Sequence, residues 1–545
     1  MKLPVRERYD ALIRDFAWNI PSDFNMGVAV SDDWAEIAPD RVCLEHFDPG
    51  GNHARMTYGE LSARSSAVAG ALRGLGIGRG ERVALLLPQS FETVIAHVAI
   101  YKMGGIALPL ALLFGVEALE YRLKVAGASA IITNRFGWER LKDIRANLPQ
   151  LKHVVLVGDA VAGETLTFAD LLAHAPLSEP VTTGPDDPAL MIFTSGTTGA
   201  PKGALHGHRV LAGHIPGIQF AHHYLPQPDD KMWTPSDWAW AGGLLNALLP
   251  SLLLGIPVVS SPAQKFDPDT AFRIMADMKV RNAFIPPTAL RLLSAVERPR
   301  EKYDLCLRTI GSAGESLGRE TYEWAKRALG LTVNEFYGQT ECNFVLSSSV
   351  LFGVSRAGAI GRTVPGHRVA ILTPEGREAA TGETGQIAIH KSSPSMFLGY
   401  WQAPEATAAK FSGDWLLTGD QGRQDAEGYV EFFGRDDDVI TSSGYRIGPG
   451  EIEDCLLGHP AVRLAAAIGK PDRLRTEIVK AYVVLAPGYQ PTEALADEIS
   501  EWVKTRLSMH EYPREVEFID ALPMTTTGKI IRRELRERSV LESAA

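Results

Sequence analysis

The chain has 545 residues, 45% of them hydrophobic and 22% charged, with a formal net charge of −10. This length exceeds what one hydrophobic core supports, so two or more domains are expected, and the negative balance argues against a nucleic-acid partner. Cys43, Cys306, Cys342 and Cys455 form no CxxC pair, which argues against a zinc site or a disulfide framework and indicates a reducing, cytoplasmic location.

No membrane span is expected. The N-terminus carries charges throughout and lacks the apolar centre of a signal peptide. The most apolar run, 244–259, is interrupted by Asn246, Pro250, Gly255 and Pro257. It is too short and too broken to cross a bilayer, and a buried helix followed by a strand is the better interpretation.

Helical and strand patterns alternate between Tyr58 and Gly158. Short apolar runs at 83–87, 106–108, 130–132 and 154–157 alternate with helical spacing at 61–72 and 91–103. Such alternation predicts a largely parallel sheet covered by helices. Segment 358–385 is rich in Gly, Pro and Thr with short β-branched runs, which indicates a small β subdomain.

A strand followed by a donor-rich loop marks the first site. The apolar run 190–193 leads into Thr-Ser-Gly-Thr-Thr-Gly at 194–199, and Lys202 follows. Gly196 and Gly199 permit positive φ, so successive N–H groups can turn inward around an anion, and the lysine adds charge. The spacing is not that of GxxxxGK[ST]. A polar turn is the simpler alternative, but the density of donors favours a triphosphate loop.

Two segments after this loop are ambiguous. His206 and His208 open the next predicted helix, and they either line a substrate pocket or pack the helix start. Segment 233–243 contains three tryptophans within eight residues, Trp233, Trp238 and Trp240. They either fill a core or wall a pocket for an apolar acid, and we favour the pocket.

The sequence TSGTTGAPKG at 194–203 resembles the nucleotide loop of the adenylate-forming enzymes, which include acyl-CoA synthetases, peptide-synthetase adenylation domains and luciferases. Further matches are NEFYGQTE at 334–341, WLLTGD at 415–420, FGRDDDVITSSGYRIGPGEIE at 433–453 and the GK turn at 528–529. The likeness is strongest to the medium-chain acyl-CoA synthetases.

This resemblance implies the domain plan. An α/β N-terminal domain, 1–434, would combine parallel-sheet βα subdomains with the small β subdomain. A hinge at 435–438, turning about Asp437, would lead to a small, mobile α+β C-terminal domain at 439–545. ATP, Mg²⁺ and coenzyme A would be the cofactors.

The resemblance also implies the ATP site. Glu341 would hold Mg²⁺, Tyr337 would stack on adenine, Thr340 would contact the α-phosphate, and Asp420 with Arg435 would bind the ribose. One carboxylate suffices, because Mg²⁺ on a triphosphate keeps several waters. The ATP/AMP-binding residues would be Thr194, Ser195, Gly196, Thr197, Thr198, Gly199, Lys202, Gly314, Glu315, Ser316, Glu335, Phe336, Tyr337, Gly338, Gln339, Thr340, Asp420, Arg435, Arg446 and Lys529.

The chemistry implied is a two-step thioester synthesis. A carboxylate would attack the α-phosphorus of ATP, and the CoA thiol would then displace AMP. The catalytic residues would be Lys529, Thr340, Glu341 and Lys202, with Lys529 neutralising charge that develops in the transition state. The CoA-binding residues would be Ser443, Gly444, Tyr445, Arg475, Lys504, Tyr512, Pro513 and Arg514.

The acyl pocket implied by the resemblance contains Trp238, Trp240, Ala313 and Gly338. Acetyl-CoA synthetases carry a bulky tryptophan where this chain has Gly338, so a medium-chain or branched aliphatic acid is expected. An aromatic acid also fits this argument. An adenylating enzyme with an acceptor other than CoA and a non-catalytic nucleotide sensor are the remaining alternatives, and a homo-oligomer is left open.

Overall fold

The fold is described from a computed structural model of the full chain. The residues described are 2–194, 200–261, 266–435, 438–442, 445–472, 475–507, 511–525 and 529–544, and the side chains of 441, 445, 446 and 542–544 are left out. Within these ranges no helix is long and apolar enough to cross a membrane.

The helices follow local sequence signals. Thr57 and Glu60 form a capping box that begins α4, and the side chain of Ser90 caps α5. The helices are α1 (Tyr9–Asp15), α2 (Met26–Ala29), α3 (Asp32–Ile37), α4 (Tyr58–Gly74), α5 (Phe91–Lys102), α6 (Val116–Ala126), α7 (Arg135–Leu141), α8 (Phe168–Leu172), α9 (Arg209–Ala221), α10 (Ala241–Gly243), α11 (Leu249–Leu253), α12 (Pro268–Asp277), α13 (Pro287–Leu293), α14 (Pro299–Lys302), α15 (Arg319–Leu329), α16 (Pro404–Ala408), α17 (Pro449–Leu457), α18 (Glu493–Arg506) and α19 (Arg532–Ala544).

The strands are short and mostly buried. They are β1 (Val42–His46), β2 (Ala54–Thr57), β3 (Arg82–Leu86), β4 (Ile106–Pro109), β5 (Ala130–Asn134), β6 (His153–Val157), β7 (Leu166–Thr167), β8 (Pro188–Thr194), β9 (Lys202–Gly207), β10 (Met232–Trp233), β11 (Val258–Ser260), β12 (Asn282–Phe284), β13 (Thr309–Ser312), β14 (Val333–Gln339), β15 (Cys342–Ser347), β16 (Arg362–Thr363), β17 (Val369–Leu372), β18 (Thr384–His390), β19 (Gly399–Tyr400), β20 (Phe411–Ser412), β21 (Trp415–Gln424), β22 (Val430–Arg435), β23 (Ile440–Ser442), β24 (Tyr445–Ile447), β25 (Val462–Asp472), β26 (Thr476–Leu485) and β27 (Glu515–Phe518).

Two large sheets form the N-terminal domain. One has the order β19-β9-β8-β4-β3-β5-β6-β7 and is parallel from β8 to β7. The other has the order β16-β15-β14-β13-β12-β10-β11-β1-β2 and is parallel from β14 to β1. Helices α4, α5 and α9 contribute buried residues to the core cluster that joins them. The predicted α/β class is confirmed.

Two smaller sheets complete the molecule. Strands β17, β18, β20, β21 and β22 form an antiparallel sheet, which is the predicted small β subdomain. Strands β23 to β27 form the sheet of the C-terminal domain, which is antiparallel except where β26 pairs with β27. This domain has its own core, in which Ile452, Ile499 and Val503 are fully buried.

One predicted element is wrong. We expected His206 to begin a helix, but residues Lys202–Gly207 form strand β9, and the helix begins at Arg209. The segment becomes a strand because it pairs with β8 across the loop: β9 runs antiparallel to β8, with Thr194 opposite Lys202. The expected phosphate loop therefore connects two adjacent antiparallel strands.

Candidate active site

Strands β8 and β9 hold the two ends of the expected phosphate loop. Thr194 and Lys202 are cross-strand partners, and the Thr194 hydroxyl donates to the carbonyl of Lys202 at 3.4 Å. Ser195, Gly196, Thr197, Thr198 and Gly199 lie outside the described residues. The described part fixes where this loop leaves and re-enters the sheet.

Tyr400 connects Lys202 to Glu341. Its hydroxyl donates to Glu341 Oε1, and Lys202 Nζ lies 5.7 Å from the centre of its ring. Strand β19 pairs with β9, so Tyr400 is held directly beside the lysine strand. Burial raises the pKa of Tyr400, so its hydroxyl stays protonated and keeps donating. Nothing in the sequence near Tyr400 predicted this contact.

Glu341 fits the role of a magnesium ligand. It is 7% exposed, and its Oε2 has no hydrogen-bond partner among the described residues. No group of three or more His, Cys, Asp or Glu that could hold a metal occurs in the described part of the chain. A single carboxylate oxygen beside a phosphate loop suits an ion that takes its other ligands from phosphate and water.

Asp420 is the centre of a second hydrogen-bonded group. Tyr337 Oη donates to Asp420 Oδ2 at 2.5 Å, and Gln339 Nε2 donates to the same oxygen at 2.7 Å. Arg435 lies opposite Asp420 across β21 and β22. Burial raises the pKa of Asp420, while these donors and the charges of Arg435 and Lys529 act to lower it. The structure thus brings together the residues expected around the ribose.

Other residues expected at the nucleotide differ in what they contact. Glu335 Oε1 accepts from the Leu317 N–H at 3.0 Å, and Phe336 stacks on Phe344 with ring centres 3.9 Å apart. Burial raises the pKa of Glu335 to about 7. The side chain of Glu335 therefore supports the loop that carries Gly314, Glu315 and Ser316, and that of Phe336 lies in the core.

Glu315 is held by the large domain. Thr288 Oγ1 donates to both of its carboxylate oxygens, and Arg291 Nη2 donates to Oε2 at 2.6 Å. Gly314 and Ser316 are exposed, and Thr340 is half-buried. These three residues therefore face space that a nucleotide can enter.

The C-terminal domain meets the large domain at two places near this site. Lys529 Cε lies 3.9 Å from the position that a Cβ on Gly314 would occupy. Asp454 Oδ2 accepts from the backbone N–H of Arg319 at 2.9 Å, so a side chain of the small domain caps helix α15 of the large one. Gly318 allows this approach, since a Cβ there would lie 2.3 Å from Asp454 Oδ1.

The acyl side is more crowded than expected. A Cβ on Gly338 would lie 2.5 Å from both the Cα of Asn343 and the N of Phe344. The space expected beside Gly338 is therefore filled by the backbone of β15, and the absence of an indole there does not leave room for a longer chain. This corrects the steric argument for a medium-chain acid.

The three tryptophans of the expected aromatic wall lie in three different clusters. Trp238 is 1% exposed and belongs to the central cluster, which also contains Ala313 and Phe336. Trp240 is half-buried against a second cluster, with its ring edge-on to Phe114 at 5.6 Å. Trp233 is buried in a third cluster.

His206 and His208 are packing residues rather than a reactive pair. His208 Nδ1 accepts from the Met26 N–H at 3.1 Å just before α9 begins. Burial lowers the pKa of His206 to about 3 and that of His208 to about 4. Both rings are therefore neutral at physiological pH.

Four of the residues expected to bind CoA form one cluster on the small domain. Lys504 Nζ lies 5.6 Å from the ring centre of Tyr512, and Arg514 Cζ lies 4.8 Å from it. Pro513 O accepts from the Ser500 hydroxyl at 2.7 Å. Arg475 lies apart, in the β25–β26 turn, where its N–H donates to Asp472.

The expected hinge is described only at its edges. Asp437, Ser443 and Gly444 lie outside the described residues, and of Tyr445 and Arg446 only the backbone, in β24, is described. Next to the hinge, Asp438 pairs with Arg532 at 3.5 Å and with Arg536 at 2.8 Å. These ion pairs tie the beginning of the small domain to its last helix.

Comparison with known proteins assigns the family. The profile described as AMP-binding enzyme matches residues 31–401, and that of the AMP-binding enzyme C-terminal domain matches residues 451–529. The chain belongs to the AMP-binding enzymes. It is 34% identical over 534 residues to acyl-coenzyme A synthetase ACSM2, mitochondrial, of Rattus norvegicus, covering 95% of this chain and 92% of the relative.

Solved structures agree with this assignment. The Brucella canis acyl-CoA synthetase is 34% identical with a TM-score of 0.76, covering 99% of this chain and 100% of the other. The anthranilate CoA ligase AuaEII in complex with anthranoyl-AMP is 29% identical with a TM-score of 0.89, covering 96% and 99%. The protein is an AMP-forming acid–CoA ligase, as the resemblance predicted. It activates a carboxylic acid with ATP and transfers the acyl group to CoA.

Proposed function

We propose that the arrangement described above is the adenylating state, with Lys529 as its catalytic lysine. The approach of Lys529 to Gly314 across the domain interface carries this proposal. In the adenylation step a carboxylate oxygen attacks the α-phosphorus and pyrophosphate leaves, so negative charge grows on the oxygens around phosphorus. An ammonium group at this position stabilises that charge more in the transition state than in the ground state.

We propose that Lys202 and the 194–199 loop bind the β- and γ-phosphates and that Glu341 holds Mg²⁺. The ion, when bound, neutralises phosphate charge and orients the leaving pyrophosphate. Tyr400 keeps the Glu341 carboxylate turned toward the loop through its hydrogen bond. Asp420 and Arg435 bind the ribose and Tyr337 stacks on adenine, and the hydrogen bond from Tyr337 to Asp420 supports their acting together. Gln339, which also donates to Asp420, joins them at the nucleotide.

For the second step, we propose that the small domain rotates about Asp437 and withdraws Lys529. The Lys504–Tyr512–Arg514 cluster would then meet the nucleotide portion of CoA, since its two cations can pair with phosphates. The thiol attacks the acyl carbonyl, a thioester bond forms and AMP leaves. Residues 443–446 and Arg475 remain assigned to CoA by family resemblance.

The acid is proposed in two classes. The likeness to medium-chain synthetases favours a medium-chain or branched aliphatic acid, and the acyl-CoA synthetase relatives support this class. An aromatic acid is the alternative, because the structure is similar to an anthranilate CoA ligase. A cytoplasmic location is proposed from the free cysteines, of which Cys43 and Cys342 are buried.

The deciding experiment is AMP release from the purified protein over a panel of free acids, with and without CoA. We expect turnover with at least one acid and strict dependence on CoA for continued AMP release. An enzyme with another acceptor would form acyl-adenylate and pyrophosphate with some acid, but added CoA would not sustain AMP release. A protein that binds ATP but releases no AMP with any acid would contradict the proposal.

A further inference from the structure

Two buried carboxamides lie beside Gly338 on the acyl side of the site. Asn343 Nδ2 donates to Asn246 Oδ1 at 2.7 Å, and the two residues are 8% and 2% exposed. Asn343 follows the catalytic motif directly, and its Cα is the atom that blocks a Cβ on Gly338. Asn246 belongs to the π-helical turn Leu244–Leu248, and such turns occur frequently at functional sites.

The pair uses only half of its hydrogen-bonding capacity. Neither the Asn246 amide N–H groups nor Asn343 Oδ1 has a hydrogen-bond partner among the described residues. If both amides were turned over, one NH₂ and one carbonyl would still remain unused. The two free ends are not among the fully buried polar atoms that lack a partner, so they keep some accessible surface that a ligand can reach.

Two other buried amides, Asn334 and Gln219, use both ends. Asn334 donates to Ala221 O and accepts from the Val350 N–H. Gln219 donates to Leu225 O and accepts from the Leu3 N–H. Both hold distant segments of backbone together, whereas the side chains of Asn246 and Asn343 hydrogen-bond to each other and to no other residue that the structure describes. Their free donor and acceptor are therefore available to a ligand.

The surroundings define what kind of group can bind there. Phe344 follows Asn343 in β15, Phe336 stacks on Phe344 at 3.9 Å, and Phe284 lies 5.5 Å from Phe336. The aromatic rings near the pair are therefore uncharged. A second carboxylate or an ammonium would be buried without an opposite charge, at high cost. A neutral group that both donates and accepts one hydrogen bond matches the two amides.

We propose that Asn246 and Asn343 recognise a neutral polar substituent, a hydroxyl or an aromatic amine, on the carboxylic acid substrate. The proposal rests on the proposed function and on the family resemblance that assigns this region, with Trp238, Ala313 and Gly338, to the acyl pocket. The proposal narrows the aliphatic and the aromatic acids to those that carry a hydroxyl or an amine where the acyl group faces Asn246 and Asn343. Plain hydrocarbon acids would leave the free donor of Asn246 and the free acceptor of Asn343 without a partner.

The test compares kcat/KM for AMP release on matched acids: butyrate with 3- and 4-hydroxybutyrate, and benzoate with its hydroxy and amino derivatives. The native enzyme should favour a substituted acid over its hydrocarbon partner by at least about 10-fold, since a site built to hydrogen-bond rejects the analogue that lacks the group. Asn343→Leu and Asn246→Leu should each remove this preference while retaining turnover of the hydrocarbon acids.

Asn25→Ala serves as the control, because Asn25 caps α2 and donates to Tyr101 O at 2.8 Å without belonging to the amide pair. It should lower stability and leave the preference unchanged. Native enzyme that favours the hydrocarbon member of every pair overturns the inference even if the leucine variants do not fold. Variants with an unchanged preference overturn it too. Absence of AMP release with every acid would instead contradict the proposed function itself.

Discussion

Lys529 of the small domain lies against Gly314 of the large domain, with its Cε 3.9 Å from where a glycine Cβ would be. No side chain at Gly314 occupies the approach, and the positive charge of Lys529 also acts on Asp420 across the interface. This single relationship places Lys529 beside the loop at 313–317 and within electrostatic reach of Asp420. In the proposed mechanism it is the feature that distinguishes the adenylating arrangement from the thioester-forming one.

Replacing Lys529 with alanine should therefore damage one half-reaction. We expect adenylation to fall on the order of 10²- to 10³-fold, because one electrostatic contact to the transition state is lost. Thioester formation from pre-made acyl-adenylate and CoA should be nearly unchanged. Arg533→Ala is the matched control, since it removes an exposed charge paired with Glu537 at 3.5 Å. Equal losses in both half-reactions would contradict the assigned role.

The cap that Asp454 provides for helix α15 should bias the domain orientation. Asp454→Ala removes an acceptor from the Arg319 N–H, and a lost N-cap costs about 1 kcal/mol, or roughly five-fold in an equilibrium. Adenylation should slow by about that factor without slowing the thioester step. Asp454→Asn keeps an acceptor oxygen and should behave nearly as the native enzyme. Rapid-quench measurement of the two half-reactions separates these outcomes.

Tyr400→Phe should weaken the binding of Mg²⁺ while leaving the fold intact. The variant loses the hydrogen bond to Glu341, and such outer contacts to a metal ligand are typically worth about 10- to 100-fold in affinity. We expect a higher Mg²⁺ concentration for half-maximal adenylation, and a smaller rise in Tm on adding Mg·ATP. Tyr58→Phe loses a buried hydroxyl bond to Leu252 O at 2.7 Å and should leave the Mg²⁺ requirement unchanged.

Burial of Glu335 predicts how stability depends on pH. Its pKa rises from an ordinary 4.5 to about 7 in the folded protein, so between these values the folded state holds a proton that the unfolded chain has released. The unfolding free energy should fall by about 3 kcal/mol as pH rises from about 4.5 to 7, and then level off. Asp237, whose pKa burial raises to about 6, contributes in the same direction.

Glu335→Gln isolates this effect, because glutamine keeps a carbonyl oxygen for the Leu317 N–H. The stability of this variant relative to the native protein should increase between pH 5 and pH 8 in denaturant titrations. Glu323→Gln, on the outer face of α15, should show no such trend. A constant difference across this range would mean that Glu335 is ionised throughout.

The sequence was most informative where chemistry is local. The strand before the phosphate loop, the β-rich segment at 358–385 and the strands and helix of the small domain are visible in residue order alone, because apolar periodicity and glycine placement are short-range signals. His206 was assigned to the wrong element because its strand depends on pairing with residues across a loop. The contacts of Tyr400, Asp454 and Asn246 have no local sequence signal, because their partners are 59, 135 and 97 residues away.

Gly338 shows where an argument by residue size fails. A missing indole suggests free space, yet the bulge between Tyr337 and Gln339 brings the backbone of Asn343 and Phe344 into that space. The volume of the pocket therefore cannot be inferred from the residue at one position, because the backbone of the neighbouring strand can occupy the space that a side chain leaves. The acid specificity therefore depends on β15 as much as on β14.

Substitution of Gly338 should accordingly act on stability before it acts on specificity. An alanine Cβ would lie 2.5 Å from two backbone atoms, which cannot rotate away as a side chain could. We expect Gly338→Ala to lower the unfolding free energy by about 1–3 kcal/mol, the usual range for overpacking. Gly450→Ala is the control, since no atom lies within 4 Å of its Cβ position and α17 should gain slightly from alanine.

Gly338→Trp should then give little folded protein, and not an enzyme redirected to acetate. Denaturant titration of the alanine variants and a chain-length profile of any soluble tryptophan variant decide the matter. A stable Gly338→Trp enzyme that has gained acetate activity would contradict this expectation, because it would require β15 to move aside.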